Sequence, residues 1–401
     1  MAWEGVEPVA AWRHIITALG VGASLCAALP VQAVHAAGPV LRVSGIPGVG
    51  TLRVQRLHDR EPDPNGSILA VELADGGRLA LRLHKFRHGG AVARAVDRRP
   101  ESRVDSADGG TLAMTLAAGY RRAALDFNIA ADSSGTATPN VLSELTWNDL
   151  SVLAVDARLR RLIGNHLDLR GDFAYGILFD GGNRDSDYLG DNRTLEFSRS
   201  RNSADEGSLF KASAAVGYGI DLGQVSGDGP WARLTPLLGY AVHQQNLVIT
   251  DGYQEISNLP GFTPPIGPFA GLDSRYESAW KGPWAGLDLE FAGLRGLRLN
   301  ASLEYHWARY EGIGNWNLRE DFAHPVSFRH TADGHGLVAG LDLSMESSGG
   351  LSWSLALDFE RWRTDPGDDT TFFADDSSAH TRLNRVNWKS WGLGLRMRHD
   401  F

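Results

Sequence analysis

The last eleven residues, Trp391-Gly-Leu-Gly-Leu-Arg-Met-Arg-His-Asp-Phe401, decide the fold. Odd positions read Trp391, Leu393, Leu395, Met397, His399 and Phe401, and even positions read Gly392, Gly394, Arg396, Arg398 and Asp400. A period of two places the two sets on opposite faces of an extended strand. The pattern returns at 351–359, where Leu351, Trp353, Leu355, Leu357 and Phe359 share a face, and at 337–346, 297–307, 209–222 and 166–180. Less regular runs at 111–130, 141–160, 232–248 and 276–291 bring the strands to ten. In the first of these the apolar phase passes from even to odd at Arg121-Arg122, which reads as a β-bulge.

A soluble β-sandwich also alternates, but its polar face would not repeat charge as this one does. Strand 166–180 sets His166, Asp168, Arg170, Asp172 and Asp180 against Leu167, Leu169, Phe173, Tyr175, Ile177 and Phe179. The connections alternate too. They are tight at 161–165, 223–230, 292–296 and 347–350, and long at 131–140, 181–207, 249–275, 308–334 and 363–387. Short turns at one end and long loops at the other are the habit of outer-membrane barrels. Because lipid tolerates no open sheet edge, the strands must close into a ring. The expected fold is therefore all-β, a transmembrane up-and-down antiparallel β-barrel of ten strands. Tyr218, Phe291, Trp353 and Phe401 then form a girdle on the short-turn side, and Tyr175, Phe179, Tyr240, Trp307 and Trp391 one on the long-loop side.

The whole chain of 401 residues carries a net charge of −9, which disfavours a nucleic-acid partner. Residues 1–36 read as a signal peptide: Arg13-His14, an apolar run from Ile15 to Leu29, then small residues before Ala37. The single cysteine, Cys26, falls within it, so disulfides, thiolate metal sites and cysteine nucleophiles are not expected in the mature chain. Residues 37–110 read as a periplasmic N-terminal β segment with an Arg-rich linker around 85–103, with packing into the lumen as its alternative. Residues 111–401 are the barrel. The charged inward residues, Arg170 and Asp172 with Glu304 and Asp342 among them, predict an internal ion-pair network rather than an open bore.

One long connection carries the densest chemistry. In the run from Asp180 to Glu196, Asp185 and Asp187 stand two apart, on one face of an extended segment. Two such carboxylates can share a proton and hold a water, as general-base chemistry requires. Asp185, Asp187, Gly190 and Glu196 also match positions of a calcium loop, but Leu189 fails a ligand position and no helices flank it. His324, His330 and His335 fit no metal-ligand spacing, so no metal is expected.

Gly181-Gly182-Asn183, then Asp185-Ser186-Asp187-Tyr188, resembles the omptins, ten-stranded outer-membrane aspartyl proteases, and Ser143-Glu-Leu-Thr-Trp147 is similar to their second-strand segment. The likeness covers about 111–401. It implies that Asp185 and Asp187 are one catalytic half, and that an Asp-X-His belongs on the loop after the seventh strand. There this chain reads Asn315-Trp316-Asn317, so Asn315 and Asn317 stand where the family has Asp and His. An amide neither takes nor gives a proton at neutral pH. His324 and His306 are the nearby imidazoles that could substitute. The resemblance also implies lipopolysaccharide as a lipid partner; no other cofactor is expected.

These readings predict an omptin-like outer-membrane barrel of the Gram-negative envelope that is non-proteolytic and has a structural or surface-interaction role. Its partners would be outer-membrane lipid and surface ligands. An active aspartyl endopeptidase cleaving basic peptides, and a narrow channel, are the alternatives.

Overall fold

Alternating residues become strands because each strand can then give its apolar side to lipid and its polar side to the lumen. The computed structural model describes residues 111–401 apart from 165, 225–230, 293–296 and 347–349, together with five short strands between 40 and 97. The signal-peptide reading of 1–36 lies outside the described residues. The chain divides into two units, Met1–Asp105 and Ser106–Phe401. In the first, β1 (Val40–Leu41), β2 (Leu52–Arg53), β3 (Ile68–Glu72), β4 (Arg78–Lys85) and β5 (Ala91–Asp97) pair in sequence order.

The second unit is a ring of ten long antiparallel strands. They are β6 (Leu112–Ile129), β7 (Ser143–Ile163), β8 (Leu167–Gly190), β9 (Thr194–Tyr218) with its continuation β10 (Ile220–Gln224), and β11 (Trp231–Ser257), whose loop holds β12 (Gly267–Phe269). Then come β13 (Ser274–Ala292), β14 (Leu297–Asn315), β15 (Phe328–Glu346), β16 (Leu351–Thr364) with β17 (Gly367–Phe372) beyond it, and β18 (Ser378–Asp400). Strand β18 closes the ring on β6, from Asp400 opposite Ala113 to Leu383 opposite Ile129. The ten-stranded barrel is thus as the alternation predicts.

The outward face is greasy. Leu153, Val155 and Leu159 of β7, Leu287 and Leu289 of β13, and Leu393 and Leu395 of β18 are all exposed. Both aromatic rims are present: Tyr218, Phe291, Trp353 and Phe401 on one side, and Phe179, Tyr240, Trp307 and Trp391 on the other, are exposed as well. Tyr175 is half-buried.

Three expectations change in detail. The long connections are shorter than their composition suggests, because strands run on past the lipid. β8 reaches Gly190 and β11 reaches Ser257, 24 and 27 residues long, where about 9–11 suffice to cross a bilayer. Beyond the lipid the outward face turns polar, so the hydrophobic alternation stops while backbone pairing continues.

The bulge is not at Arg121-Arg122. Pairing of β6 with β18 is unbroken from Asp400 opposite Ala113 to Asn387 opposite Asp126. The register break lies across the β6–β7 ladder, between Ala123 opposite Leu150 and Leu125 opposite Trp147, where Asn148 and Asp149 of β7 stand against Ala124 alone. Asp149 there takes a positive φ of 59°. The apolar phase changes for a different reason: the lumen itself changes from ionic to apolar. Ala113, Arg121, Leu125 and Phe127 all lie on the inward, buried face.

The ion pairs exist, with other partners. Asp172 pairs with Arg158, Asp342 with Arg396, and Glu304 with His306. Arg170 of β8 bridges Asp168 and, across the lumen, Asp288 of β13. Arg160 of β7 likewise reaches Glu290 of β13, and Glu360 of β16 takes both Arg121 of β6 and Lys211 of β9. These straps join strands that are not neighbours in the ring, around a cavity of about 220 Å³.

Above them sits a hydrophobic core inside the barrel. Trp147, Trp280, Trp362, Trp388, Tyr276 and Tyr310 are each no more than 2% exposed. Trp147 stacks on Tyr276 at 5.4 Å, and Trp280 lies 5.5 Å from Trp362. Aromatic side chains from β7, β13, β14, β16 and β18 therefore fill the lumen between the ionic layer and the long-loop mouth.

Candidate active site

Asp185 and Asp187 stand on β8 about 20 Å of strand beyond Phe179, outside the lipid belt. They sit opposite Leu145 and Ser143 of β7, and opposite Ser200 and Ser198 of β9. Asn183, two residues before, pairs with Trp147 of the core. The two carboxylates thus share the inward face, one step above the aromatic plug.

Burial pushes the Asp185 carboxyl well above its ordinary value, the neighbouring Asp187 charge adds to the rise, and the Arg319 charge and the Trp316 indole N–H oppose it. One Asp185 carboxylate oxygen is buried with no hydrogen-bond partner among the described residues. Burial raises Asp187 too, against the hydroxyls of Ser143 and Ser198 and the Arg319 charge. A pair of this kind holds a proton that an exposed pair would release.

The facing wall comes from the loop after β14, the seventh barrel strand. Asn317 is consumed by scaffolding. Its Oδ1 accepts the Asp273 backbone N–H at 2.9 Å and the Ser274 hydroxyl at 3.0 Å, and its Nδ2 donates to the Gly271 carbonyl at 2.6 Å. Asn315 meets His324, with Oδ1 to Nδ1 at 2.9 Å, while His324 Nε2 lies 3.2 Å from the Arg319 carbonyl. Both imidazole nitrogens therefore face oxygens of the loop, which hold the ring in place. His306 is remote from the mouth, buried against Trp362 and Glu304.

Between the two asparagines, Trp316 lies edge-on to Phe328 at 4.8 Å, and its backbone N–H donates to Ser327 Oγ. Arg319 is braced by Asp321 at 2.7 and 2.8 Å and lies 3.9 Å over the Phe322 ring. Opposite the acidic pair the wall thus offers an indole N–H and a guanidinium, both donors.

Calcium-loop geometry is not formed, since Asp185, Asp187 and Gly190 lie on β8 and Glu196 on β9, where Glu196 binds Arg199 at 2.8 Å. The three loop histidines lie apart. His335 stacks on outward Tyr305, His324 braces the loop, and His330 is buried in the core.

No spacing rule marks Trp316 and Arg319 in the sequence. Also unmarked in the sequence is a buried His-Asp pair. His330 and Asp369 are each 1% exposed, with His330 Nε2 3.2 Å from Asp369 Oδ1. His330 Nδ1 meets the Tyr276 hydroxyl at 2.9 Å, and that hydroxyl meets Tyr310 at 2.6 Å. Phe127 packs edge-on to the imidazole at 4.6 Å, within the aromatic core.

The family described as Pom, Protochlamydia outer membrane protein, matches residues 115–401. The chain belongs to this family. The Pom-family barrel has solved structural neighbours as well. The outer membrane protease OmpT from Escherichia coli aligns with a TM-score of 0.58 at 12% identity, over 73% of this chain and 97% of that one. The translocator domain of the autotransporter NalP from Neisseria meningitidis aligns at a TM-score of 0.27 and 11% identity, over 71% and 87%. At such identity the OmpT likeness speaks for the fold alone: this Pom-family chain is an outer-membrane β-barrel of omptin-like fold. No curated protein matches it in sequence.

Proposed function

We propose that this Pom-family barrel is non-proteolytic and serves the envelope as a sealed structural and surface-interaction protein. The supporting observation is the use made of Asn315, Asn317 and His324. In the omptin arrangement that the resemblance implies, a His-Asp half facing the aspartate pair charges and orients the water. Here that position holds two amides and an imidazole, each occupied in bracing the loop. The aromatic plug and the cross-lumen straps likewise support a barrel without free bore.

The test incubates the refolded protein with Arg/Lys-rich peptides and, separately, records planar-bilayer currents. The expected result is intact peptide and no conductance steps. Cleavage abolished by Asp185→Ala would restore the endopeptidase reading with Asp185 and Asp187 as its catalytic residues, and conductance steps would favour the channel.

A second feature supports lipopolysaccharide as a partner of the same barrel. Just above the outer aromatic rim, exposed Arg361 lies directly across the ladder from exposed Lys389, and exposed Lys281 across from exposed Arg309, whose other neighbour is Asp333 at 3.9 Å. Like charges directly opposite on a sheet repel. Phosphate groups at headgroup height would turn both pairs from a cost into a binding site.

A further inference from the structure

The β11–β13 hairpin ends in a tip that its surroundings do not explain. From Ile256 to Leu272 there is no Asp, Glu, Lys, Arg or His. Across the five long connections taken together, acidic residues number 19 and basic ones 11, so the tip is a neutral spot in an acidic field. It is also apolar: Phe262 is 89% exposed and Ile266 65%. The neighbouring hairpin adds Leu195, 71% exposed with a positive φ of 54°, and is tied to the tip by Asn258, which donates to the carbonyls of Phe197 and Glu196 at 2.8 and 3.0 Å.

The backbone of the tip is prepared for a dry medium. The N–H groups of Phe262 and Thr263 both donate to the Leu259 carbonyl at 3.0 Å, and the Thr263 hydroxyl donates to the same oxygen. Ser257 Oγ meets Thr263 Oγ1 at 2.7 Å. Pro260, Pro264, Pro265 and Pro268 carry no N–H at all. Removing or satisfying backbone donors is what hydrocarbon demands of any segment that enters it.

The tip cannot reach its own bilayer. Strand β11 runs on from lipid-facing Tyr240 to Ser257, which at about 3.3 Å per residue and the usual barrel tilt lifts the tip about 40 Å above the rim. We propose that this tip is a lipid-inserting finger that takes the surface of a zwitterionic bilayer facing the cell, with Phe262 and Ile266 entering the acyl boundary and Leu195 beside them. The acidic field around it disfavours anionic surfaces. This inference goes beyond the reading above, and its failure would leave the cleavage and conductance results untouched.

The experiment places the full chain in nanodiscs and measures its flotation with vesicles of phosphatidylcholine, or of phosphatidylcholine containing phosphatidylserine. The expected result is co-flotation with the first and weaker association with the second. Phe262→Asp with Ile266→Asp should cut the bound fraction by about tenfold or more, since two side chains leave the acyl region. An unchanged unfolding transition shows that the barrel is intact. Absence of co-flotation of the wild type, binding undiminished in the double variant, or association that requires an added protein with an apolar pocket would each overturn the proposal.

Discussion

Asn317 accepts the backbone N–H of Asp273 at 2.9 Å, so the residue that stands where omptins have histidine holds the β12–β13 connection to the loop after β14. Its amide makes three hydrogen bonds to that connection. Asn317→Ala should therefore release the Asp273 amide, raising its hydrogen-exchange rate by the equivalent of about 1–3 kcal/mol of local stability. Barrel unfolding should be unchanged. Asn317→His combined with Asn315→Asp should show the same loosening. Unaltered exchange at Asp273 in Asn317→Ala would sink the bracing role.

Asp185 sets a pH dependence whose sign follows from burial. Its folded pKa lies above the ordinary carboxyl value, so its contribution to stability is fully present below that value and is lost as pH rises through the raised one. Asp185→Asn should therefore raise the unfolding midpoint at neutral pH. The gain should shrink towards zero as the pH falls below the ordinary carboxylate range. Arg319 opposes the rise, so Arg319→Ala should make Asp185→Asn more stabilising at neutral pH. Urea unfolding of the detergent-solubilised barrel at several pH values measures both. A midpoint lowered by Asp185→Asn at neutral pH would contradict the assignment.

Glu360 is the knot of the lumen, 2% exposed, with Arg121 Nη1 at 2.8 Å and Lys211 on the same oxygen. Glu360→Ala removes the carboxylate that both cations touch and leaves Arg121 and Lys211 facing each other. The expected cost is about 3–5 kcal/mol, as for breaking other buried pairs from one side. Removing all three charges, with Arg121→Met and Lys211→Met added to Glu360→Leu, should recover most of it. Denaturant unfolding midpoints decide, and a triple variant no more stable than Glu360→Ala would show that the strap is not the source of the loss.

The extent to which the sequence disclosed this molecule follows the chemistry of each face. Leu393, Leu395 and Trp391 met lipid on one side and Arg396 on the other met the lumen, so alternation in charge and apolarity reported the backbone directly. Higher up, Leu125 and Phe127 face inward because the lumen there is filled by an aromatic core, and the same inward face that carries Arg121 turned apolar without any change of pleat. A pattern read from side-chain polarity cannot separate a bulge from a change in what the lumen contains. Asp185 and Asp187 stood out because two acids two apart are rare on an inward strand face. Trp316 and Arg319 did not, because their partners lie 130 or so residues away in sequence and meet them only through the closure of the ring.

The outward basic pairs test the lipid partner. Arg361→Glu together with Lys389→Glu places acids at headgroup height beside Phe359 and Trp391. This should weaken lipopolysaccharide-dependent stabilisation of the refolded barrel by about tenfold in effective affinity, since one charged pair is replaced by its opposite. Phosphate-free lipid should show no difference between wild type and variant. Equal dependence in both proteins would remove the belt from the binding site.

His330 and Asp369 give the last expectation. Asp369 Oδ2 accepts the Thr381 hydroxyl at 2.7 Å, while its other oxygen lies 3.2 Å from His330 Nε2, off the line of a hydrogen bond. Asp369→Ala therefore removes the acid beside the buried His330 ring and the acceptor of the half-buried Thr381 hydroxyl, at a cost of about 1–3 kcal/mol. His330→Phe leaves the Asp369 carboxylate and the Tyr276 hydroxyl without the imidazole, so it should cost a similar amount. The double variant His330→Phe with Asp369→Leu removes both members of the pair at once, and its loss should be smaller than the sum of the single losses by about 1–3 kcal/mol. A double-mutant cycle on urea unfolding measures that difference. Strict additivity would mean that the two side chains are neighbours without being partners, and that the packing of Phe127 and Tyr276 alone holds the imidazole in place.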